Sequence, residues 1–338
     1  METGYSIATV SRVINDNPSI SDTSKTKVRE AIEKLGYFPN MVARNLKSNS
    51  TKTIALLIAD GTNEYFIEIA KAIDNVVRSM GYTLFVCNTF NDSKKELSYL
   101  QMLAERKIEG IILNSCCENN DYIVQLSKHL PIVLMHRRIP NPGFKGDFID
   151  ADFGKSAYEL TMKLIESGHK KIGLISGPLQ FSSAHDRFNG FKNALRTIDI
   201  EVDKNYKYLF EGPFTSDYGY QAAESLLKCD DPPTAMLIMH CETTIGALRY
   251  FRSHNVKVPQ DISFVCPCNI NLSDLFYIQP SYAIPNTWAL GQRAGEMLMD
   301  RISCNNDIIN REASYMPTTI YGNSICNISE DTKKPVIS

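Results

Sequence analysis

The chain has 338 residues, of which 43% are hydrophobic and 22% are charged, and its net charge is −2. This length predicts two to three domains with sizeable cores, and the near-neutral charge argues against a protein that coats nucleic acid with its whole surface. No apolar run of about 18 residues and no signal-peptide core is present, so we expect a cytoplasmic protein.

The charge is divided unevenly along the chain. Residues 1–52 contain eight Lys or Arg and five Asp or Glu, which gives this segment a net charge of +3 and leaves −5 for the rest. A small basic head on an acidic body predicts that contact with nucleic-acid phosphates is confined to the head.

The first predicted element is a short helix over residues 6–15. Ser6 is a suitable N-cap, and Val10, Val13 and Ile14 fall on one face that would pack inward. The face left outward is suited to a DNA major groove and consists of Ile7, Ala8, Ser11 and Arg12, with Thr9 at its flank. Small side chains allow close approach to the bases, and Arg12 can make a bidentate contact to guanine.

A second helix is predicted from about Thr23 to Leu35, closed by Gly36. Pro39 then begins a two-turn helix at 40–47, which is too short to be stable alone in water. Its apolar side chains have no evident core to join, and Leu46 is suited to part a base step as a wedge in the minor groove.

These two segments carry a resemblance to a known family. The patterns S-x-x-T-V-S-R-V-I-N at 6–15 and Y-x-P-N-x-x-A-R-x-L-K at 37–47 resemble the helix-turn-helix and the hinge helix of the lac repressor/galactose repressor family of bacterial transcription regulators. The resemblance implies a DNA-binding head at 1–47 that includes the hinge helix at 40–47. The DNA-contacting residues that we predict are Ser6, Ile7, Ala8, Thr9, Ser11, Arg12, Asn40, Ala43, Leu46 and Lys47.

The head is short by about one helix ahead of Gly4 when it is compared with that family. Two interpretations stay open on this point. The start codon has been placed too late, or the protein is a stand-alone small-molecule-binding protein that has lost DNA binding. An upstream in-frame helix would favour the first interpretation, and an upstream stop codon would favour the second.

Beyond a polar linker at 48–53, strands and helices alternate. Strands are predicted at 54–58, 83–87, 110–113, 131–135, 171–175, 206–210, 235–239 and 262–265, and helices at 64–80, 94–106, 121–129, 152–167, 186–197, 216–228, 243–254 and 290–302. Continuous apolar strands in this alternation predict an α/β fold with two doubly wound parallel-sheet subdomains, with a ligand cleft beyond the carboxyl ends of the strands.

The resemblance implies the same architecture, a periplasmic-binding-protein-like core for effector binding and dimerisation at 54–325. We expect an N-subdomain at about 54–149 and 283–310, a C-subdomain at about 150–282 and 311–325, and a polar tail at 326–338. This tail is too short for the tetramerising helix of some family members, so a homodimer is predicted.

The effector site is predicted from side chains at the strand ends. Arg187 is a bidentate donor at the position that binds effector throughout the resembled family. Aromatic faces of the kind found here suit a sugar ring or a purine. The full predicted set is Tyr65, Phe66, Asp152, Phe181, Ser183, Arg187, Phe214, His240, Cys241, Cys268, Asn269 and Asn286.

The departures from the family pattern concern carboxylates. His240-Cys241 stands where the family usually has Asn-Asp, and Cys266-Pro-Cys-Asn269 replaces a Gly-aromatic-Asp turn. Carboxylates accept hydrogen bonds from vicinal sugar hydroxyls, so the loss of these aspartates leaves the ligand class open. His240, Cys241, Cys266 and Cys268 could hold zinc or act as a thiol switch, or their small side chains could simply fill a pocket tuned to another ligand.

The nine cysteines are scattered and odd in number, and we expect them to be reduced thiols. No Gly-rich phosphate loop, His-Glu-x-x-His motif or nucleophile elbow is present, so neither an enzyme nor a cofactor is predicted. The predicted function is a sequence-specific transcription regulator, a repressor of a near-palindromic operator. A sugar or sugar-derived metabolite is expected to control its operator affinity.

Overall fold

The computed structural model describes residues 3–14, 17–36, 50–267 and 277–328. The chain divides into two compact units, Met1–Thr51 and Lys52–Ser338, which are called the head and the core below. The predicted hinge helix at 40–47 lies outside the described residues. No helix in the described part of the chain is long and apolar enough to cross a membrane.

The head contains helices α1 (Ile7–Ile14) and α2 (Asp22–Leu35). The Ser6 hydroxyl accepts the backbone N–H of Thr9 at 3.2 Å, which caps α1 as the sequence predicts. Val13 on α1 and Val28 on α2 are buried and form the apolar contact of this small unit. The predicted inward face of α1 is therefore confirmed at Val13.

The core contains two six-stranded sheets, each covered by helices. The first has the order β11-β5-β4-β3-β1-β2, with every strand pair parallel. Its strands are β1 (Thr53–Ile58), β2 (Thr83–Asn88), β3 (Gly110–Leu113), β4 (Ile132–Met135), β5 (Asp147–Ala151) and β11 (Glu312–Tyr315). Its helices are α3 (Glu64–Ser79), α4 (Ser93–Glu105), α5 (Asn120–Ser127) and α10 (Thr287–Ser303).

The second sheet has the order β12-β10-β9-β8-β6-β7, and its pairs are parallel except for β10 with β12. Its strands are β6 (Ile172–Ser176), β7 (Leu209–Glu211), β8 (Ala235–Ile238), β9 (Ser263–Cys266), β10 (Ser281–Ile284) and β12 (Thr318–Ile320). Its helices are α6 (Phe153–Glu166), α7 (Ser182–Arg196), α8 (Ser216–Lys228) and α9 (Cys241–Ser253).

Four apolar clusters fill the space between the sheets and their helices, one on each face of each sheet. In the first subdomain, α3 and α10 cover one face and α4 and α5 cover the other. In the second, α8 and α9 cover one face and α6 and α7 the other. Burial on both faces explains why the strand sequences are continuously apolar, so the predicted α/β class with two parallel-sheet subdomains is confirmed.

The chain crosses between the two subdomains three times, after β5, after β10 and after β11. The subdomain boundaries differ from the predicted ones at 311–325, which was assigned to the C-subdomain. β11 lies in this range but pairs with β5 and so belongs to the first sheet. The boundaries also differ at the start of 283–310, which was assigned to the N-subdomain, because β10 belongs to the second sheet. Both strands are short and neither is a continuously apolar run, so their pairing partners are not evident from apolar patterning.

A buried ion network joins the three elements of the first subdomain that lead to or from the crossings, at their ends away from the crossings. Asp147, on β5, pairs with Arg301 near the end of α10 at 2.5 Å and with Arg311 just before β11 at 2.7 Å. The Asp147 and Arg301 side chains are completely buried. Asp147 also accepts the backbone N–H of Arg311 at 2.8 Å, so one carboxylate fixes segments that are more than 150 residues apart in the chain.

We predict that Asp147→Asn lowers the free energy of unfolding of the core by about 3–5 kcal/mol, because it leaves two guanidinium groups without their shared counter-charge. Chemical denaturation followed by circular dichroism measures this change. Glu296→Gln is the control, since it breaks an exposed pair with Arg293 and should cost less than about 1 kcal/mol. Equal losses for the two variants would contradict the assigned role of Asp147.

Candidate functional site: the cleft between the core subdomains

A cavity of about 370 Å³ lies in the cleft between the two subdomains of the core. Its wall is built from residues that follow strand ends of both sheets, among them Asp60 after β1, Asn114 after β3, Arg137 after β4 and His240 after β8. This is the position at which open parallel sheets bind ligands, because the carboxyl ends of the strands and the amino ends of the helices meet there.

Seven of the twelve predicted effector-binding residues line this cavity. They are Tyr65, Phe66, Ser183, Arg187, Phe214, His240 and Cys241. Phe181 lies directly behind the wall, where it is buried and its ring stacks on that of Phe214 with centroids 6.0 Å apart. Cys268 and Asn269 lie outside the described residues.

Asp152 and Asn286 are helix caps and do not line this cavity. The Asp152 carboxylate accepts the backbone N–H of Lys155 at 2.9 Å, and the Asn286 side chain accepts that of Ala289 at 2.9 Å. Both residues begin helices at crossings between the subdomains, where the unpaired N–H groups of the first turn need an acceptor. The prediction that they bind effector in this cavity is therefore not supported by their positions, and the adjacent Phe153 lines the wall instead of Asp152.

A chain of hydrogen bonds begins at the cavity wall with Tyr65. Its hydroxyl lies 3.0 Å from Nε2 of His136, and Nδ1 of His136 lies 3.1 Å from the Asp150 carboxylate. Burial lowers the pKa of His136, although Asp150 opposes this shift, so the ring is neutral. Its Nδ1–H then donates to Asp150 and its Nε2 accepts from Tyr65, which fixes the orientation of the tyrosine.

Two arginines face the cavity from opposite subdomains. Arg187, on α7, lies over the ring of Phe153 with its Cζ 3.8 Å from the ring centroid. Arg137, after β4, lies over the ring of Phe181 at the same distance and donates to the Ser115 carbonyl at 2.8 Å. These cation–π contacts help to hold each guanidinium group in place at the cavity.

Close helix packing places α7 and therefore Arg187. A Cβ atom on Gly190 of α7 would lie 2.0 Å from the carbonyl oxygen of Gly154 on α6, so only glycine allows the two helices to approach this closely. Ser182, in the first turn of α7, accepts the backbone N–H of Arg138 at 2.9 Å. This bond joins the first subdomain to the second at the edge of the cleft.

The second subdomain, which carries Arg187, also contributes aromatic rings to the wall. The rings of Phe214 and His240 are 4.6 Å apart, and a Cβ atom on Gly177 would overlap the Phe214 ring at 1.9 Å, so the glycine makes room for it. Nδ1 of His240 accepts the backbone N–H of Glu242 and caps α9. Burial, reinforced by the positive charge of Arg187, lowers the pKa of His240 to about 3, which keeps this ring uncharged.

The cysteines near the cleft differ from expectation at one position. Cys241 is disulfide-bonded, so the prediction that all nine cysteines are reduced thiols is wrong there. The parallel strands β8 and β9 end at the same edge of the sheet, which brings cysteines at their ends close together. Within the described ranges, no group of three or more His, Cys, Asp or Glu side chains is arranged to hold a metal ion.

Five cavity residues of functional interest were missed by the sequence reasoning: Asp60, Asn91, Asn114, His136 and Arg137. Each follows an apolar strand by one to three residues, and this placement after a strand end is the signal that could have found them. Arg137 was harder to recognise, because it is part of an Arg-Arg pair in which the second member, Arg138, forms an exposed ion pair with Glu312.

The candidate DNA-reading surface of the head is exposed. Ser6, Ile7, Ala8 and Arg12 are all solvent-exposed on or beside α1, and Ile7 retains 81% of its accessible surface. Thr9 and Ser11 are half-buried at the flank. The other predicted DNA contacts, Asn40, Ala43, Leu46 and Lys47, lie outside the described residues.

Both the sequence and the fold are similar to those of known proteins. Residues 2–40 match the family model described as bacterial regulatory proteins, lacI family, and residues 51–319 match the model for periplasmic binding proteins and the sugar binding domain of the LacI family. The HTH-type transcriptional repressor PurR of Mannheimia succiniciproducens is 36% identical over 304 residues, which cover 89% of each chain. PurR of Aliivibrio salmonicida is 34% identical over 299 residues, covering 88% of this chain and 89% of the relative.

Solved structures share the fold at lower sequence identity. A transcriptional regulator CelR–cellobiose complex superposes with a TM-score of 0.73 at 23% identity, covering 96% of this chain and 97% of CelR. A LacI family transcriptional regulator from Enterococcus faecium with bound ribose gives a TM-score of 0.71 at 23% identity, covering 82% of this chain and all of the other.

The neutral His240 generates a prediction about acid stability. The unfolded chain takes up a proton at the ordinary histidine pKa of about 6.5, whereas folded His240 resists protonation down to a pKa of about 3. The free energy of unfolding must therefore fall as the pH is lowered through this window. His240→Asn keeps a capping side chain and should reduce the slope by up to about 1.4 kcal/mol per pH unit.

Urea denaturation of both proteins between pH 6.5 and pH 4 measures this slope. His136 and His169, whose pKa values burial also lowers, are present in both proteins and cancel in the difference. An unchanged slope in the variant would contradict a buried, uncharged His240.

Proposed function

The chain belongs to the LacI family of bacterial regulatory proteins, and from that membership we propose how its head and core divide the work of a DNA-binding transcriptional repressor. In this proposal α1 reads an operator and the cleft of the core binds a small-molecule effector. The observation that carries the proposal is the face of α1 on which Ile7, Ala8 and Arg12 are exposed to solvent.

Base readout is assigned to Ile7, Ala8 and Arg12. Arg12 is exposed in the last turn of α1, where its guanidinium group can reach a guanine edge in the major groove. Ser6, Thr9 and Ser11 supply hydroxyls for phosphate contacts on the same side of the helix. The sequence of 40–47 adds Asn40, Ala43 and Lys47 as backbone-positioning residues and Leu46 as a wedge for the minor groove.

We propose a homodimer on a near-palindromic operator, so that two heads read successive half-sites. The edge strand β2 supports a second copy of the chain as partner. Phe85 and Val86 on this strand and Phe90 just beyond it are exposed, with Phe85 retaining 55% of its accessible surface. Exposed apolar side chains on an unpaired sheet edge are usually covered by another protein surface.

The effector of this proposal is a small, carbohydrate-related molecule. Support comes from the size of the cavity and from the aromatic faces of Phe153, Phe214 and His240 combined with polar side chains on the same wall. Effector binding would rotate the two subdomains about the three crossing segments and so alter operator affinity. The protein would act in the cytoplasm by binding, with neither a cofactor nor a catalytic step.

An operator is first obtained by selecting duplexes from a random library with the full-length chain. Arg12→Ala should then weaken binding to the selected duplex by about ten-fold or more, because it removes a bidentate base contact worth about 1–3 kcal/mol. Fluorescence anisotropy at fixed salt gives the two affinities, since phosphate contacts make both depend on ionic strength.

Arg196→Ala is the matched control, because it removes the same charge from an exposed position on α7 of the core. It should leave operator affinity within about two-fold of the wild type. If no duplex is enriched, the chain does not read DNA and acts as a small-molecule-binding module. If a duplex is enriched but both variants bind it as tightly as the wild type, the base readout assigned to Arg12 is wrong.

A further inference from the structure

Two guanidinium groups share one small cavity without a protein carboxylate paired to either. Arg137 and Arg187 both line the cleft, one from each subdomain. In the part of the chain that the structure describes, neither forms a salt bridge with Asp or Glu. Two like charges placed this way repel one another and gain from an anion set between them.

Arg137 and Arg187 donate hydrogen bonds to uncharged oxygen atoms of the protein, and these bonds use only some of their N–H groups. Arg137 donates one N–H to the Ser115 carbonyl and one to Oδ1 of Asn91, at 2.8 and 2.7 Å. Arg187 makes one long contact of 3.5 Å with the Ser183 carbonyl, and its buried Nε has no partner. A guanidinium group carries five N–H donors, so each arginine keeps donors for a further acceptor.

Burial makes these charges costly. Arg137 is only 5% exposed, and desolvation lowers its pKa. Desolvation also lowers the pKa of Arg187 to about 10; the Asp150 carboxylate opposes this shift, and the charge of Arg137 adds to it. Both groups remain protonated at neutral pH, so the cavity holds two cations that the surrounding protein only partly compensates.

We propose that the effector carries an anionic group, a phosphate or a carboxylate, and that Arg137 and Arg187 bind this group together across the cleft. The inference rests on the proposed effector function of the cleft and narrows its ligand class. Planar guanidinium groups bind both kinds of anion through paired N–H donors. Because the two arginines come from different subdomains, the bound anion also ties the closed cleft together.

The other residues of the cavity wall indicate which further chemical groups the effector carries. Oδ1 of Asn114 is buried without a partner, while its Nδ2 donates to the Met135 carbonyl at 2.9 Å. A hydroxyl of the effector can donate to this orphaned oxygen. Phe214 and the uncharged His240 provide flat faces for a ring.

The carboxylates of Asp60 and Glu242 also line this cavity, so their partners must be considered together with the two arginines. Asp60 accepts the N–H and the hydroxyl of Thr62, and Glu242 lies at the start of α9. Neither forms an ion pair with Arg137 or Arg187, so both stay available for ligand hydroxyls. A hydroxylated ring with an anionic substituent, such as a sugar phosphate or a sugar acid, satisfies all of these groups, whereas a neutral sugar adds no counter-charge to the two cations.

The test uses the full-length chain with inorganic phosphate and, in a parallel arm, acetate as probes. Each anion replaces chloride at constant ionic strength, and thermal unfolding gives its apparent affinity. The wild type should be stabilised in at least one arm, and the arm with the larger shift identifies the anionic group. Arg187→Gln and Arg137→Gln should each weaken that affinity by at least about ten-fold, since each removes half of the anion site.

Arg196→Gln, an exposed arginine on the same helix as Arg187, is the matched control and should keep the wild-type response. If a glutamine variant does not fold by circular dichroism, the corresponding lysine variant replaces it and should still weaken binding, because lysine lacks the two parallel donors. Absence of stabilisation in both arms, or equal stabilisation of wild type and cleft variants, overturns the proposal. Operator binding by the wild type without added anion is measured separately, so the regulator role and the anion site can fail independently.

Discussion

A single buried carboxylate holds together the part of the first subdomain that lies away from the cleft. Asp147 at the start of β5 binds Arg301 near the end of α10 and Arg311 just before β11. The carboxylate has lost its water, so its free energy depends on both arginines staying in place. These three elements, which lead to or from the crossings at their other ends, are therefore fixed to one another within the first subdomain.

The alternation of apolar strands with helices predicts both sheets, because burial on two faces leaves a continuous apolar run that is readable in sequence. The crossings are less visible. β10 and β11 are only four residues long, and neither is a continuously apolar run. The sheet membership of β11 follows from pairing with β5, more than 150 residues away in the chain. Asp152 and Asn286 show the related difficulty that a polar residue before a helix fits a cap as well as a ligand contact.

A cleft residue could be predicted from the sequence where its own side chain and local pattern indicate its role. It could not be predicted where its role depends on a residue that only the fold brings next to it. Arg187 is recognisable from its local pattern, and it lines the cavity. His136 acquires its role only from Tyr65 and Asp150, which are brought to it by α3 and β5. Arg137 is distinguished from its exposed neighbour Arg138 by burial alone, and burial is a property of the fold.

The exposed Ile7 of α1 has a consequence for how the proposed DNA binding responds to its surroundings. In the free head this side chain remains 81% in water, and covering an isoleucine contributes about 1.5–3 kcal/mol. Contact with a thymine methyl in the major groove would recover part of this free energy. Unlike the attraction of arginine and lysine for phosphates, that contribution does not weaken as ionic strength rises. A head of this composition would therefore keep part of its affinity for DNA, and part of its preference for one base sequence, at high ionic strength.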